Sequence, residues 1–202
     1  IPLCDWSSDV CSSDLNPICF ANANAAGYVY EPDFDQITAM LQALRDQRPT
    51  PGTAVQFSGG EPTLHPRFFD ILEQATRMGF SNIQMATNGL KMAELSFARR
   101  AKEAGLHTLY LQFDGLGREV YLTTRGRDIW ETKLRVIENC RKLDMKICLV
   151  PTIIRTINDD QVGEIFRFAV NNIDVISAIS YQPVCFTGRI DTEQRLQQRY
   201  TL

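Results

Sequence analysis

From about residue 34 onward the chain alternates amphipathic helical stretches with short apolar runs, and this alternation restricts the fold more than any other feature. Phe34, Ile37, Met40, Leu41 and Leu44 recur at helical spacing, as do Phe69, Leu72, Ala75 and Met78. So do Ile129, Trp130, Leu134, Ile137 and Cys140, and later Val162, Ile165, Phe166 and Ala169. Between them lie five predicted strands, at residues 54–57, 82–86, 108–113, 146–151 and 176–181. Repeated strand, helix, strand order implies right-handed crossovers and a parallel sheet, either open and doubly wound or barrel-like. In both architectures ligands bind at the C-terminal ends of the strands.

Every predicted strand ends on residues that suit a site. The first runs into Ser58-Gly59-Gly60-Glu61-Pro62, the second into Thr87-Asn88-Gly89, the third into Asp114-Gly115, the fourth into Thr152 and the fifth into Gln182-Pro183. Glycine, asparagine and proline are ordinary wherever a strand turns into a loop, so the weight lies in five coincident cases. Gly59-Gly60-Glu61 is the most informative. Two glycines let backbone groups approach a ligand, and the carboxylate after them can accept from an ammonium group. The alternative is a tight turn with Glu61 near the start of a helix beginning around His65, where its charge suits the dipole.

Composition excludes several classes. With 202 residues, 44% hydrophobic and 22% charged, the chain suits one medium domain, and a net charge of -3 gives no field for nucleic acid or anionic membranes. No apolar run reaches the roughly 18 to 20 residues of a membrane span, and a cytoplasmic setting is expected. Of the cysteines at 4, 11, 19, 140, 148 and 185, Cys140 and Cys148 sit in apolar patterns and read as buried small hydrophobes. His65 and His107 are too far apart for a local zinc site and read as surface or turn residues. Thr123-Thr124-Arg125-Gly126 could hold an anionic substrate group but reads rather as a solvated loop, and Arg99, Arg100 and Lys102 as an exposed helix face. Residues 1–15 lack helical or strand periodicity, repeat Ser-Ser-Asp and resemble a sequencing-library adapter translated in one frame. They are set outside fold reasoning.

The stretch Pro17-Ile18-Cys19-Phe20-Ala21-Asn22-Ala23, with Gly59-Gly60-Glu61 forty residues on, resembles radical S-adenosylmethionine (SAM) enzymes. In that family a loop carrying Cys-x3-Cys-x-φ-Cys supplies three thiolates to a [4Fe-4S] cluster, leaving one iron for SAM. The resemblance makes Cys19 the third cluster ligand and Ile18 an adenine contact. It gives Gly59, Gly60 and Glu61 to the SAM amino group, and sets Asn88, Asp114, Thr152 and Gln182 around the SAM or substrate cavity. It also implies reductive cleavage of SAM to a 5'-deoxyadenosyl radical, and an electron donor such as a flavodoxin or ferredoxin. The expected fold is α/β, a parallel (β/α)6-type partial TIM barrel with its first strand missing and five retained. The wider text CFANANAAGYVYEP, SGGEPTLHP, ATNG and FDG is similar to the class D radical SAM methylases and the tetraether-lipid-synthase-like group, which act on pterins or lipid chains.

One departure matters. The first two cluster cysteines belong at positions 12 and 16, where the chain has Ser12 and Asn16. The expectation is therefore a core over residues 16–202, truncated at both ends and inactive as written, whose parent is an enzyme. Poor solubility is expected from the sheet edge that a lost strand exposes. Two rivals stand beside it: a barrel enzyme without iron that binds phosphate at the glycines, where Glu61 has the wrong sign, and a non-catalytic binding module that has lost its cluster.

Overall fold

The computed structural model describes residues 31–184. Asp33 opens the first helix, α1 (Phe34–Arg45), by accepting from the Gln36 amide at 2.8 Å, while the Gln36 side chain accepts from the Asp33 amide at 2.9 Å. This reciprocal cap satisfies two donors that a first helical turn leaves open. The strands follow in chain order as β1 (Ala54–Phe57), β2 (Asn82–Thr87), β3 (Thr108–Gln112), β4 (Lys146–Val150), β5 (Thr152–Ile153), β6 (Ile176–Ile179) and β7 (Gln182–Pro183). The remaining helices are α2 (Phe68–Arg77), α3 (Leu95–Glu103), α4 (Arg118–Arg125), α5 (Trp130–Lys142) and α6 (Val162–Asn171).

Strands β1, β2, β3, β4 and β6 form one sheet in that spatial order, each parallel to its neighbour. Spatial order follows chain order without a reversal. A doubly wound sheet reverses at its switch point, whereas an unreversed run of right-handed crossovers puts every connecting helix on one side. The winding is thus that of a partial barrel, and the choice left open by the sequence is made.

Burial along the strands agrees. Val55, Phe57, Ile83, Met85, Leu109, Leu111, Ile147 and Leu149 are buried, and between them Gln56, Gln84, Tyr110 and Gln112 are only partly so. Successive side chains point to opposite faces, so the apolar set packs under the helices and the polar set shares the other face. A parallel sheet covered by helices on both sides reads as an unbroken apolar run. This sheet does not, and its register aligns Gln56, Gln84, Thr108 and Lys146 in one cross-strand row.

The structure refines several expectations. Pairing of β4 stops at Val150 because Pro151 has no amide to donate; it resumes beyond as β5 with β7, where the Gln182 amide donates to the Pro151 carbonyl at 2.9 Å. Helix α2 starts at Phe68, not around His65, because a 3-10 turn over Pro62–Leu64 takes up the intervening chain. Residues 123–125, expected in a solvated loop, end α4, with Thr124 buried. Phe166 belongs to α6 but is 57% exposed, so the buried stripe there is Ile165 and Ala169. His65 is buried, with Nε2 3.3 Å from the Pro32 carbonyl and Nδ1 accepting from the Arg67 amide; it fastens the entry of α1 to the β1–α2 connection. Cys140 and Cys148 are buried as expected, and burial pushes the Cys140 thiol up to about 12.

Candidate functional site

Parallel strands bring their C-terminal ends to one edge, and there the predicted residues meet in a polar seam. Gly59 has φ +144°, a conformation that side chains disfavour, and the Gly59–Gly60 backbone lies partly open. Glu61 turns the other way and is fully buried. Its Oε1 accepts from the Thr63 hydroxyl at 2.7 Å, the Thr63 amide at 3.3 Å and the Thr87 hydroxyl at 2.8 Å, and Oε2 accepts from the Asn88 amide at 2.8 Å. Burial raises its pKa, partly offset by these hydrogen bonds. Glu61 therefore both caps the 3-10 turn and ties the end of β1 to the end of β2.

Asn88 continues the seam. Its side chain accepts from the Leu90 amide at 2.9 Å, the local turn that asparagine favours, beside Gly89 at φ +80°. Its carbonyl accepts from Lys133 Nζ at 2.6 Å. Lys133 is fully buried in the first turn of α5, and burial lowers its pKa to about 7; Asp114 and Glu61 pull it back up, while Arg125 pushes it further down.

Asp114, also fully buried, meets Arg125 through two bonds: Nε donates to Oδ2 at 2.6 Å and Nη2 to Oδ1 at 2.8 Å. This forked geometry fixes orientation as well as charge. With its amide turned so that the oxygen faces the guanidinium, Gln112 accepts from Arg125 Nη1 at 2.6 Å. The Thr152 amide approaches Asp114 Oδ1 at 3.4 Å, and Asn158 Nδ2 donates to the carbonyls of Asp114 at 2.6 Å and Thr152 at 2.8 Å. Thr152 pairs in register with Gln182, which is exposed. Tyr121 stands behind Asp114 with its hydroxyl buried, near the Asp114 and Gly115 backbone but without a well-formed hydrogen bond.

Gly59, Gly60, Glu61, Asn88, Asp114, Thr152 and Gln182 thus lie along one edge, in two hydrogen-bonded groups, one around Asn88 and one around Asp114, with Lys133 in the field of Asp114 between them. Ile18 and Cys19, like Cys185, lie outside the described residues, and among those described no cluster of metal-ligating side chains occurs. Reading the sequence missed Lys133, Arg125 and Asn158. Lys133 carried a signal: it stands three residues after Trp130 and four before Ile137, on the apolar stripe itself, where a charge needs a reason. The buried face holds Lys133 and Val136, with the expected Leu134 at its margin. Asn158, in Asn-Asp-Asp, resembles any solvated turn and carried none.

Comparison with known proteins agrees with this geometry. The model of the radical SAM superfamily matches residues 13–169. A 7,8-dihydro-6-hydroxymethylpterin dimethyltransferase of Methanocaldococcus jannaschii is 47% identical over 187 residues, covering 92% of this chain and 37% of that protein. A probable GTP 3',8-cyclase of Pyrococcus abyssi is 32% identical over 115 residues, 57% of this chain and 37% of its own length. The chain thus spans little more than a third of these relatives. Among solved structures, Streptococcus suis SuiB bound to S-adenosylmethionine superposes with a TM-score of 0.70 at 14% identity, over 98% of this chain and 43% of that one. Native anSMEcpe with bound AdoMet and a peptide gives 0.65 at 16% identity, over 85% and 48%. Likeness at such identities speaks for the fold, a radical SAM partial barrel. With a family model spanning most of its length and a relative sharing nearly half its residues, the chain belongs to the radical SAM superfamily.

Proposed function

We propose that the parent of this chain is a SAM-dependent radical enzyme that modifies a pterin-like small molecule by methylation or carbon–carbon bond formation. The observation that carries this reading is the 47% identity to the pterin dimethyltransferase, maintained over 92% of the chain. The open face of the sheet favours a pterin over a lipid chain. Gln84 and Tyr110 present donors and acceptors there, which suit a flat heterocycle and gain nothing from an aliphatic tail.

When bound, a [4Fe-4S] cluster and SAM together supply a 5'-deoxyadenosyl radical for hydrogen abstraction, with the electron coming from a flavodoxin- or ferredoxin-like donor. The protein's part is positioning. The open Gly59–Gly60 backbone receives the SAM ammonium through its carbonyls, and Glu61, locked by Thr63, Thr87 and Asn88, holds that backbone in place and sets a negative charge beneath it. Asn88, Asp114, Thr152 and Gln182 would line the rest of the cavity, and Ile18 and Cys19, outside the described residues, would contact adenine and hold the cluster. The donor set is incomplete as the chain is written, with one thiolate in register where three are needed, and this form is inactive in our reading.

The test is anaerobic reconstitution of the chain before and after Ser12→Cys and Asn16→Cys, followed by iron counting and EPR with and without SAM. The expected result is about four irons per chain and a SAM-dependent change of signal in the repaired chain alone. A repaired chain that binds iron but shows no response to SAM would overturn the proposal. SAM binding without a cluster would instead favour a binding module.

A further inference from the structure

We propose that Lys133 is a positioning residue for SAM, holding the Asn88 peptide from the side opposite Glu61; the inference rests on reading these strand ends as the SAM site. Asn88 is gripped at three points. Its amide donates to Glu61 Oε2 at 2.8 Å, its carbonyl accepts from Lys133 Nζ at 2.6 Å and its side chain closes a turn onto Leu90 at 2.9 Å. One peptide segment therefore bridges a buried carboxyl and a buried amine, and losing either contact frees one side of the loop after β2.

Helix α5 is built to transmit this grip. Trp130, at its start, packs 5.9 Å from Phe113, 6.3 Å from Tyr121 and 6.2 Å from Phe168, ring centre to ring centre. One turn on, Lys133 meets Asn88. Another turn on, Val136 meets Gly89, where an added Cβ would lie 2.6 Å from Leu111 and 3.3 Å from Val136. A single face of α5 thus seats both residues of the loop that follows β2. Among the described residues, the charged groups facing Lys133 are Glu61 after β1, Asp114 after β3 and Arg125 on α4, and the Tyr121 ring lies 5.9 Å from its ammonium. Methionine would fill the same space without a desolvation cost, so a lysine here is explained by what it holds.

The experiment compares the full-length, cluster-reconstituted protein with its Lys133→Met variant, measuring SAM affinity by equilibrium binding between about pH 6 and pH 8.5. Burial holds Lys133 near pKa 7, so it grips Asn88 as a cation below that pH and as a weaker neutral donor above it. The wild type should lose affinity as pH rises through this range. The variant should bind roughly ten- to a hundredfold more weakly at low pH, the effect of one charge-assisted hydrogen bond, with that deficit closing as pH rises. Its KM for SAM should increase while kcat at saturation holds. A folded variant with wild-type affinity and the same pH profile overturns the role of Lys133 and leaves the site reading intact. If the variant does not fold, a wild-type affinity that is flat across this pH range overturns it equally. A wild type that binds no SAM overturns both.

Discussion

At the scale of residues, the seam is made of charges that water does not reach, and their removal has predictable signs. Replacing Arg125 by Met leaves the Asp114 carboxylate buried and unpaired, and should destabilise the fold by about 3–5 kcal/mol. Replacing Arg118 by Ala, whose side chain is 64% exposed, should change stability by about 0.5 kcal/mol or less. Urea titrations of both variants make the comparison. Lys133 adds a pH signature. Above its ordinary pKa of 10.5 it is neutral whether folded or unfolded; between there and about 7 the unfolded chain takes up a proton that the folded chain refuses. Stability should therefore fall as pH drops through that window, by at most about 1.4 kcal/mol per unit, and level off below it. Measured against Lys133→Met, the wild type gains stability from pH 7 towards 10, and equal slopes for the two proteins would contradict the burial of this amine. Glu61, Asn88 and Asp114 were legible because chemistry at strand ends follows from topology. Arg125 and Asn158 were not, because the partner of each comes from another part of the chain and no local pattern announces it.

At the scale of elements, the turns between them divide into those pressed against the core, such as the one after β2, and those in open space, such as the end of α4. Gly89 and Gly126 both have left-handed backbones, at φ +80° and +68°, yet only Gly89 has neighbours where a side chain would go. Gly126→Ala should cost about 1 kcal/mol from backbone strain alone, whereas Gly89→Ala adds overpacking against Leu111 and Val136 and should cost about 2–4 kcal/mol. Thermal denaturation ranks them, and equal losses would mean that the β2 loop is not seated as described. Periodicity revealed α1, α2, α5 and α6 because their apolar residues recur at 3.6-residue spacing over two turns or more. It failed for α4, where Val120, Tyr121 and Thr124 form the buried side and a run of threonines imitates a loop. The break between β4 and β5 was not foreseen, since the expected strand ran through Pro151, and the resumed pairing with β7 shows that the strand direction continues beyond it.

At the scale of the whole molecule, the unreversed order of β1, β2, β3, β4 and β6 puts the helices on one side of the sheet and leaves a more polar face on the other, where the proposed site lies. The strands read from sequence only as short apolar runs; one-sidedness needed the register and the burial along each strand. Leu109→Ala should cost about 2–5 kcal/mol, while Gln84→Ala, one strand over and facing the opposite way, should cost about 0.5 kcal/mol or less. Chemical denaturation of the two variants tests the division. If the polar face holds the substrate as proposed, what is bound can change there without reopening what is folded. Substitutions at Gln84 and Thr108 should meet less penalty from the core behind them than substitutions on the helix-covered face.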